Sequence, residues 1–590
     1  MNTFSENLAE LLVKRGLTQV FAVPGGGNMF LLSALDSHPS IQIQYCHHEQ
    51  AAAVAAEAFF KVAGKPAVCL VTSGPGGTNA ITGLAGAYLD STPMLLLAGQ
   101  VKTTDLRDSG LRQKGPQEVD LVRIAEPVCS KALQLTSSDF GPVLDLLATL
   151  DAARGGPVVL VVPLDIQNSV SNAWELDTAA PSQNQEPTEF EAIWGALNNA
   201  RRPVVLIGNG CRHVDQEKLG DFFTYMEMHD IAALFSWLSY DLMPASCPIN
   251  LGRPGSVALR QANFVLQTAD FVLVLGSRID MTQTAFNPEQ FGKNADVFVV
   301  DVDRAELSKH PDRFHSIVSD VAPVVSFLGA RLNDSLGGAG RPMWRQFFTE
   351  LREHWSTEDP SADNGSGLRI EPVVDSLSRD LPEAAVIVTG SSGLAVEIFH
   401  LRFQNKERQR IFLTTALGSM GFGLPALVGA MVAENKSRPI FLFESDGSFM
   451  MNIQELSTIQ ALQKKAVIFL INNDGYASIR ASQSNHFGKT MGTDSTSGLE
   501  FPDFEKIASA WGLEYFGVRS VNDLSAALHA SWRTSQSCLI NIQVRSDSKL
   551  LPKCAAQISG NNFGSSELEY MEPKLNAQYV EEILARGQAI

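Results

Sequence analysis

Short, continuously apolar runs recur along the chain, separated by helical patterns and by loops rich in glycine and aspartate. They fall in three blocks. The first holds residues 20–23, 67–72, 94–99 and 157–162, the second 203–208, 271–276 and 297–302, and the third 385–389, 439–444, 466–472 and 538–544. A short run with no polar face predicts a strand covered on both sides, and such strands belong to parallel sheets wrapped by helices. The expected fold class is therefore α/β, with three doubly wound parallel-sheet domains at 1–170, 190–335 and 366–553. A tail over 554–590 reads as a loop and short helix, a candidate lid. Stretches at 166–190 and 333–368, rich in Ser, Asn, Asp, Gly and Pro, show no apolar period and are predicted to be linkers. In doubly wound sheets ligands sit beyond the C-terminal ends of the strands, so the loops after the apolar runs are where chemistry belongs.

One stretch could pass for a membrane span: Ile411 to Ala433 is 23 residues without a charge. Gly418, Gly421, Gly423, Gly429 and Pro425 interrupt it, which predicts a buried turn followed by a core helix. Residues 1–16 form a mixed-charge amphipathic pattern without the basic start and apolar core of a signal peptide. The 590 residues carry 46 Lys and Arg against 64 Asp and Glu, a net charge of −18. That acidic surface argues against nucleic acid or a membrane surface as partner, since both need a basic footprint. Seven cysteines without a Cys-x-x-Cys pair suit neither a disulfide framework nor a zinc site, and predict reduced thiols and a cytoplasmic location.

The most specific chemistry follows the run at 439–444. Ser445-Asp446-Gly447-Ser448 comes first, and Asn472-Asn473-Asp474-Gly475 begins 24 positions after Ser448, each set after a strand with a helical stretch between. Asp-Gly and Asn-Asp are common turn dipeptides. The pair at this spacing instead predicts an oxygen cage of carboxylate and carboxamide, suited to Mg²⁺ or Ca²⁺ bridging to a diphosphate, with Gly447 allowing close approach.

This segment resembles the thiamine-diphosphate motif, Gly-Asp-Gly followed by Asn-Asn, with Ser445 in place of the first glycine. By that resemblance the Mg²⁺ ligands are Asp446, Asn473 and the Gly475 carbonyl. Gly447, Ser448 and the Ser391-Ser392-Gly393 loop hold the diphosphate. Upstream, the succession Pro24-Gly25-Gly26-Gly27, His48-Glu49-Gln50, Thr72-Ser73-Gly74-Pro75-Gly76-Gly77-Thr78-Asn79 and Gly99-Gln100-Val101 is similar to the pyrimidine-binding domain of acetolactate synthase-like enzymes. The resemblance implies that Glu49 hydrogen-bonds N1′ of the aminopyrimidine and drives the tautomer whose nitrogen takes the C2 proton. It implies too that the Gly418 carbonyl takes the 4′-amino group and Met420 wedges between the two rings. The first domain is then pyrimidine-binding and the third diphosphate-binding. A homodimer becomes the minimum active unit and a homotetramer common; a regulatory chain is left open.

The middle block resembles the FAD-binding domain of the same branch, where flavin has a non-redox, structural role. Matching positions are Gly208, Gly210, Gly276, Ser277, Arg278, Asp301 and Asp320, with Arg154 from the first block. On the donor side the resemblance places Gln117, Gly26 and Gly27 near the reacting carbon, with Pro116 where the family often has Phe. No acid/base His pair follows His48, which favours carboligation over release of an aldehyde. His486 has no assigned role. On the acceptor side Ser482 stands where acetolactate synthases place a Trp, nine positions after Asn473, and the run 475–488 looks closer to enzymes that build branched sugars. The expected activity is decarboxylation of pyruvate and transfer of the two-carbon unit to a ketone, either a nucleotide-linked ketodeoxysugar or a second 2-keto acid, which gives acetolactate. A pyruvate oxidase-like flavoenzyme and a catalytically silent binding subunit are the alternatives. Intact Glu49, Asp446 and Asn473 argue against the silent one.

Overall fold

The computed structural model describes residues 2–108, 110–171, 174, 187–331, 341–355, 365–391, 393–435, 437–559 and 562–590. Three parallel sheets account for the apolar runs. The first arranges β1 (Gln19–Ala22), β2 (Gln42–Tyr45), β3 (Val68–Val71), β4 (Leu95–Gln100), β5 (Lys131–Gln134) and β6 (Val158–Pro163) in the order 2-1-3-4-6-5. The second arranges β7 (Pro203–Ile207), β8 (Ala232–Phe235), β9 (Phe271–Leu275), β10 (Asp296–Asp301) and β11 (His315–Val318) as 11-10-9-7-8. The third arranges β12 (Val386–Thr389), β13 (Arg410–Phe412), β14 (Ile440–Ser445), β15 (Val467–Asn472), β16 (Glu514–Val518) and β17 (Cys538–Gln543) as 13-12-14-15-17-16, repeating the winding of the first.

Each apolar run becomes an interior strand. The six strands the pattern does not announce, β2, β5, β8, β11, β13 and β16, all lie at sheet edges. An interior parallel strand is covered on both faces and is mostly apolar, whereas the edge strand Gln42–Tyr45 is exposed or half-buried at every position; the edge strand Ala232–Phe235 is buried but only four residues long.

The chain divides into two compact units. The first comprises Met1–Ala180, Ala384–Val396 and Arg410–Ser546, and holds the first and third sheets. Here the helix Glu49–Ala63 packs against the helices Pro75–Leu89 and Gly423–Ala433. Its alanines from Ala51 to Ala58 are buried, and backbone approaches backbone so closely that a Cβ on Gly429 would lie 2.2 Å from the Ala55 carbonyl oxygen. The alanine-rich segment is thus a seam of small side chains between three helices. The uncharged stretch at 411–433 resolves into the end of β13, a turn and a helix buried from Gly423 to Met431. Among the described residues no helix is long and apolar enough to cross a membrane.

The second unit comprises Pro181–Glu383, Glu397–Gln409 and Asp547–Ile590, wider than the 190–335 read from sequence. The expected linker at 333–368 contains a helix, Arg341–Trp355. Trp344, Phe347, Phe348, Leu351 and Trp355 follow helical spacing and are buried, while Trp344 Nε1 donates to the Pro203 carbonyl at 3.2 Å. The flanking residues 332–340 and 356–364, and most of the other expected linker (172–173 and 175–186), lie outside the described residues.

The tail, read from sequence as a candidate lid, is docked within this unit. The helix Arg260–Thr268 is buried along its whole length although it carries Arg260, Gln261, Asn263 and Gln267. The tail supplies partners for three of these four. Arg260 donates to the Met571 and Pro573 carbonyls at 3.3 and 2.5 Å, Asn263 to the Leu568 carbonyl at 2.8 Å, and Gln267 to Glu569 at 2.8 Å. Buried donors of this kind are costly to leave unpaired, so the tail is a fixed wall of the unit.

His400, fully buried, stacks on Trp237 at 5.3 Å and meets Tyr240 edge-on. Burial, reinforced by the Arg253 cation, pushes it down to about 3. The folded state therefore holds His400 neutral while the unfolded chain takes a proton below about 6.5. The stability this contributes is present above that pH and is lost as pH falls towards 3. Between pH 6.5 and 5 the loss is about 2 kcal/mol. Chemical denaturation across this range should show a shallower decline for His400→Phe than for the parent, and equal slopes would exclude His400 as the source.

Candidate active site

Asp446 and Asn473 follow neighbouring strands. β14 and β15 pair in register, Ser445 opposite Ile471, and the crossover between them contains the helix Glu455–Ala461, which accounts for the spacing in the sequence. Asp446 is completely buried. Its Oδ1 accepts from the Gly447 N–H at 2.7 Å, and its Oδ2 from the Asn473 and Gly475 N–H groups at 3.0 and 2.9 Å. One carboxylate thus ties both loops together. Burial pushes its carboxyl up to about 6 in spite of these donors. Asn473 Oδ1 is buried without a hydrogen-bond partner. Gly475 sits at φ +109°, and a Cβ there would lie 2.2 Å from the Thr493 carbonyl oxygen, so only glycine fits this turn.

A buried carboxylate whose charge is disfavoured, beside an unpartnered carboxamide oxygen, is a donor set that a hard divalent cation completes. Among the described residues no group of three or more His, Cys, Asp or Glu could hold a metal. A cation here would rest on one carboxylate, Asn473 Oδ1 and the Gly475 carbonyl, and the residues fit that arrangement.

Other expected diphosphate residues converge on the same loops. Ser448 Oγ accepts from the Gly421 N–H at 2.9 Å, and the Ser391 hydroxyl donates to the Ser419 carbonyl. The Met420 methyl group lies 3.5 Å, and the Tyr476 ring 2.3 Å, from the position a Cβ on Gly447 would take. Gly393, in the left-handed region at φ +101°, faces Ser445 Oγ, while Ser392 lies outside the described residues. Gly418 is also left-handed, at φ +63°. A buried acid not expected from sequence, Glu444, stands behind these loops. It accepts from the Ser445 and Gly423 N–H groups at 2.9 and 3.2 Å, and burial pushes it up to about 7.

Glu49 opens its helix as the first residue after His48, whose Nδ1 accepts from the Gln50 N–H. Asn79 donates to Glu49 Oε2 at 3.0 Å, and the other carboxylate oxygen is 3.6 Å from where a Cβ on Gly76 would project. The half-buried carboxylate is thereby held over the first turn of the Pro75–Leu89 helix. Gln117, itself at φ +61°, lies against the preceding turn, with its carbonyl oxygen 2.5 Å from the Cβ position of Gly74. Gly27 is pinned: its N–H donates to Thr72 Oγ1 at 3.0 Å and its carbonyl accepts from Gln167 at 2.7 Å. A Cβ on Gly26 would meet nothing within 4 Å. Gly26 also lines an open groove of about 570 Å³ with Met29 and Tyr45.

In the second unit Gly208, Gly210 and Gly276 meet backbone to backbone, and the Gly210 N–H donates to the Gly276 carbonyl at 3.0 Å. Ser277 Oγ donates to Gln283 at 3.2 Å, while Asp301 and Asp320 accept from the N–H groups of Asp303 and Ala322. Loop packing and capping thus already employ most of the positions expected to hold flavin. Arg278, half-buried, follows Ser277 in the same loop. Arg154, in the first unit, donates to Ser91 Oγ at 3.0 Å.

Three family models match the chain. They are the thiamine pyrophosphate enzyme N-terminal TPP binding domain over residues 2–124, the central domain over 190–334 and the C-terminal TPP binding domain over 389–542. Acetolactate synthase isozyme 2 large subunit from Escherichia coli (strain K12) is 30% identical over 553 residues, covering 90% of this chain and 93% of its own. The chain belongs to the thiamine-diphosphate-dependent, acetolactate synthase-like enzymes. Two further relatives of this family agree. The isozyme 1 large subunit of the same bacterium is 29% identical over 561 residues, 93% of this chain and 95% of its own. The chloroplastic acetolactate synthase of Arabidopsis thaliana is 29% identical over 569 residues, 92% and 82%.

Several side chains that hold the candidate residues of this acetolactate synthase-like chain escaped the sequence reading. Arg480 donates to the Asn473 and Asp474 carbonyls, both at 2.8 Å, and fixes the backbone of the expected metal loop. It lies in the first turn of the helix Ala477–Phe487, which directly follows that loop. Asn79 ends the Thr72–Asn79 motif, but its pairing with Glu49 is not legible from it; Glu444 and Glu455, which accepts from the His47 N–H at 3.0 Å, gave no signal, because their partners are remote in sequence or are backbone groups.

Proposed function

We propose that this acetolactate synthase-like enzyme decarboxylates pyruvate and transfers the remaining two-carbon unit to the carbonyl carbon of an acceptor. The carrying observation is the Asp446–Asn473 pair, a buried carboxylate beside an unpartnered carboxamide oxygen at adjacent strand ends. Thiamine diphosphate, when bound, supplies the electron sink for decarboxylation. Asp446, Asn473 and the Gly475 carbonyl would hold its Mg²⁺; Gly447, Ser448, Ser391, Ser392 and Gly393 would hold the diphosphate; the Gly418 carbonyl and Met420 would orient the rings. Glu49 would hold a proton at N1′, and Asn79 keeps its carboxylate in place. Gly26, Gly27 and Gln117 would line the donor side, Gly26 leaving room for substrate.

For the acceptor we favour a nucleotide-linked ketodeoxysugar, on the small, exposed Ser482. It sits on the helix Ala477–Phe487, on one face with Ile479, which is 51% exposed, so a small hydroxyl and one open apolar side chain lie beside the expected metal loop. The second reading, acetolactate formation from a second 2-keto acid, is favoured by the names of the relatives. Ser482→Trp separates the two. The large acceptor should lose carboligation by roughly 10²-fold, because it must reach the reacting carbon within about 3–3.5 Å, while pyruvate consumption falls little. Product mass analysis with pyruvate plus each acceptor reads the ratio. Equal loss for both acceptors would make acetolactate the leading reading.

Bound FAD in a structural role belongs to the same proposal. Its support is the loop after β9, where Ile279, Ala285 and Phe286 hold left-handed backbone angles and Phe286 is 54% exposed, strain that ligand-binding loops often carry. A flavin spectrum in the purified protein, not bleached by pyruvate without oxygen, checks it; bleaching would favour the oxidase-like alternative. We place the enzyme in the cytoplasm as a homodimer at least, with a homotetramer expected. Two relatives are named large subunits, which leaves room for a smaller partner chain.

A further inference from the structure

Away from the site, the first unit buries a cation among two acids. The side chains of Lys61, Glu57 and Asp90 are 7%, 1% and 0% exposed. Lys61 Nζ donates to Asp90 Oδ2 at 3.0 Å and to the Leu413 carbonyl at 2.7 Å, and it pairs by charge with Glu57, whose Oε1 lies 2.7 Å away. Asp90 in turn accepts from the Thr415 N–H at 3.0 Å, the Thr415 hydroxyl at 3.0 Å and the Ala416 N–H at 3.2 Å.

Three separate pieces of chain meet at this group: the helix that begins at Glu49, the end of the Pro75–Leu89 helix, and the segment after β13. That segment has no helix or strand of its own until Gly423. At its far end Ser391 bonds the Ser419 carbonyl and Ser448 accepts from Gly421. At its near end the fixings are Lys61 and Asp90. Burying these charges is costly, and removing one partner leaves the others buried and uncompensated, so the group holds together only while the three pieces of chain stay in place.

We propose that Lys61 and Asp90 form an ionic latch that positions the segment carrying Gly418 and Met420. They are positioning residues, and the latch rests on the reading of Gly418 and Met420 as cofactor contacts. It also means that the helix presenting Glu49 and the loop presenting Met420 within one chain cannot shift independently.

The test compares the full-length parent with Lys61→Met, Lys61→Arg and Thr415→Val. Amide hydrogen exchange over 413–420 is measured without cofactor, and thiamine diphosphate affinity by calorimetry at saturating Mg²⁺. Lys61→Met should speed exchange at Thr415 and Ala416 and weaken cofactor affinity by about tenfold each, with the KM for pyruvate unchanged. Lys61→Arg should recover most of the affinity. Thr415→Val removes one hydroxyl and should cost about fivefold in exchange protection, the weight of a single hydrogen bond; it carries the test if Lys61→Met does not fold. Parental exchange and affinity in the folded variants would overturn the latch. So would a lowered melting temperature with unchanged cofactor affinity, which would leave Lys61 a purely structural role. In the parent, bound cofactor should slow exchange at residues 417–420. Its failure to do so would remove the reading beneath the latch, and the parent alone would reveal it.

Discussion

Replacing Asp446 by alanine should abolish tight thiamine diphosphate binding at ordinary Mg²⁺ concentrations, with a loss on the order of 100-fold in affinity. The expected size comes from two roles held by one side chain. Asp446 is the only carboxylate of the proposed cation cage, and a hard divalent ion left with carbonyl and carboxamide oxygens is held weakly. It also gathers the N–H groups of Gly447, Asn473 and Gly475, so alanine leaves three donors without their acceptor at the point where two loops must meet. Raising Mg²⁺ should recover part of the affinity, because mass action can offset a lost ligand but cannot rebuild the loops. Titrating cofactor at several Mg²⁺ concentrations distinguishes the contributions. An unchanged dissociation constant at low Mg²⁺ would show that Asp446 holds no metal.

Glu49→Gln should behave in the opposite manner, leaving fold and cofactor binding nearly intact while reducing kcat by roughly 10²–10⁴-fold, the range for a positioned proton-transfer group. The carboxamide fills the same space at the start of the helix and can still pair with Asn79. It cannot hold a proton at N1′, so the loss belongs in the chemical step and should appear equally in kcat and kcat/KM. Glu49→Ala should show a comparable fall in kcat plus weaker cofactor binding. Near-parental turnover by the glutamine variant would take Glu49 out of the mechanism.

The parts of this protein legible in its sequence are those whose physical reason is local. Interior strands announce themselves because both faces are covered, and the Asp446 and Asn473 loops because each follows such a strand. Edge strands such as Lys131–Gln134 stayed hidden, being half-covered and therefore free to carry lysine and glutamine. The helix Arg341–Trp355 was lost among polar flanks although its five buried aromatic and aliphatic positions keep helical spacing. Long-range pairings gave no signal at all. Nothing near Asp90 indicates that Thr415 and Ala416 complete it, 325 and 326 residues away. Burial is not legible either: the helix Arg260–Thr268 carries Arg260, Gln261, Asn263 and Gln267, and remote groups, among them the Met571 and Pro573 carbonyls and the Glu569 carboxylate, make its interior position tolerable.

That last arrangement sets an order of events during synthesis. The backbone carbonyl that Arg260 needs at Met571 is made 311 residues later. At about 5–20 residues per second on the ribosome, the wait is roughly 15–60 s. Throughout that time Arg260 and Gln267 lack the acceptors that the tail supplies, although Asn263 already has the Gly255 carbonyl at 3.0 Å, so the second unit cannot complete its buried hydrogen bonding. The unit that begins second in the chain must therefore finish last, after the strands at 386–389, 440–445, 467–472 and 538–543 have already left the ribosome.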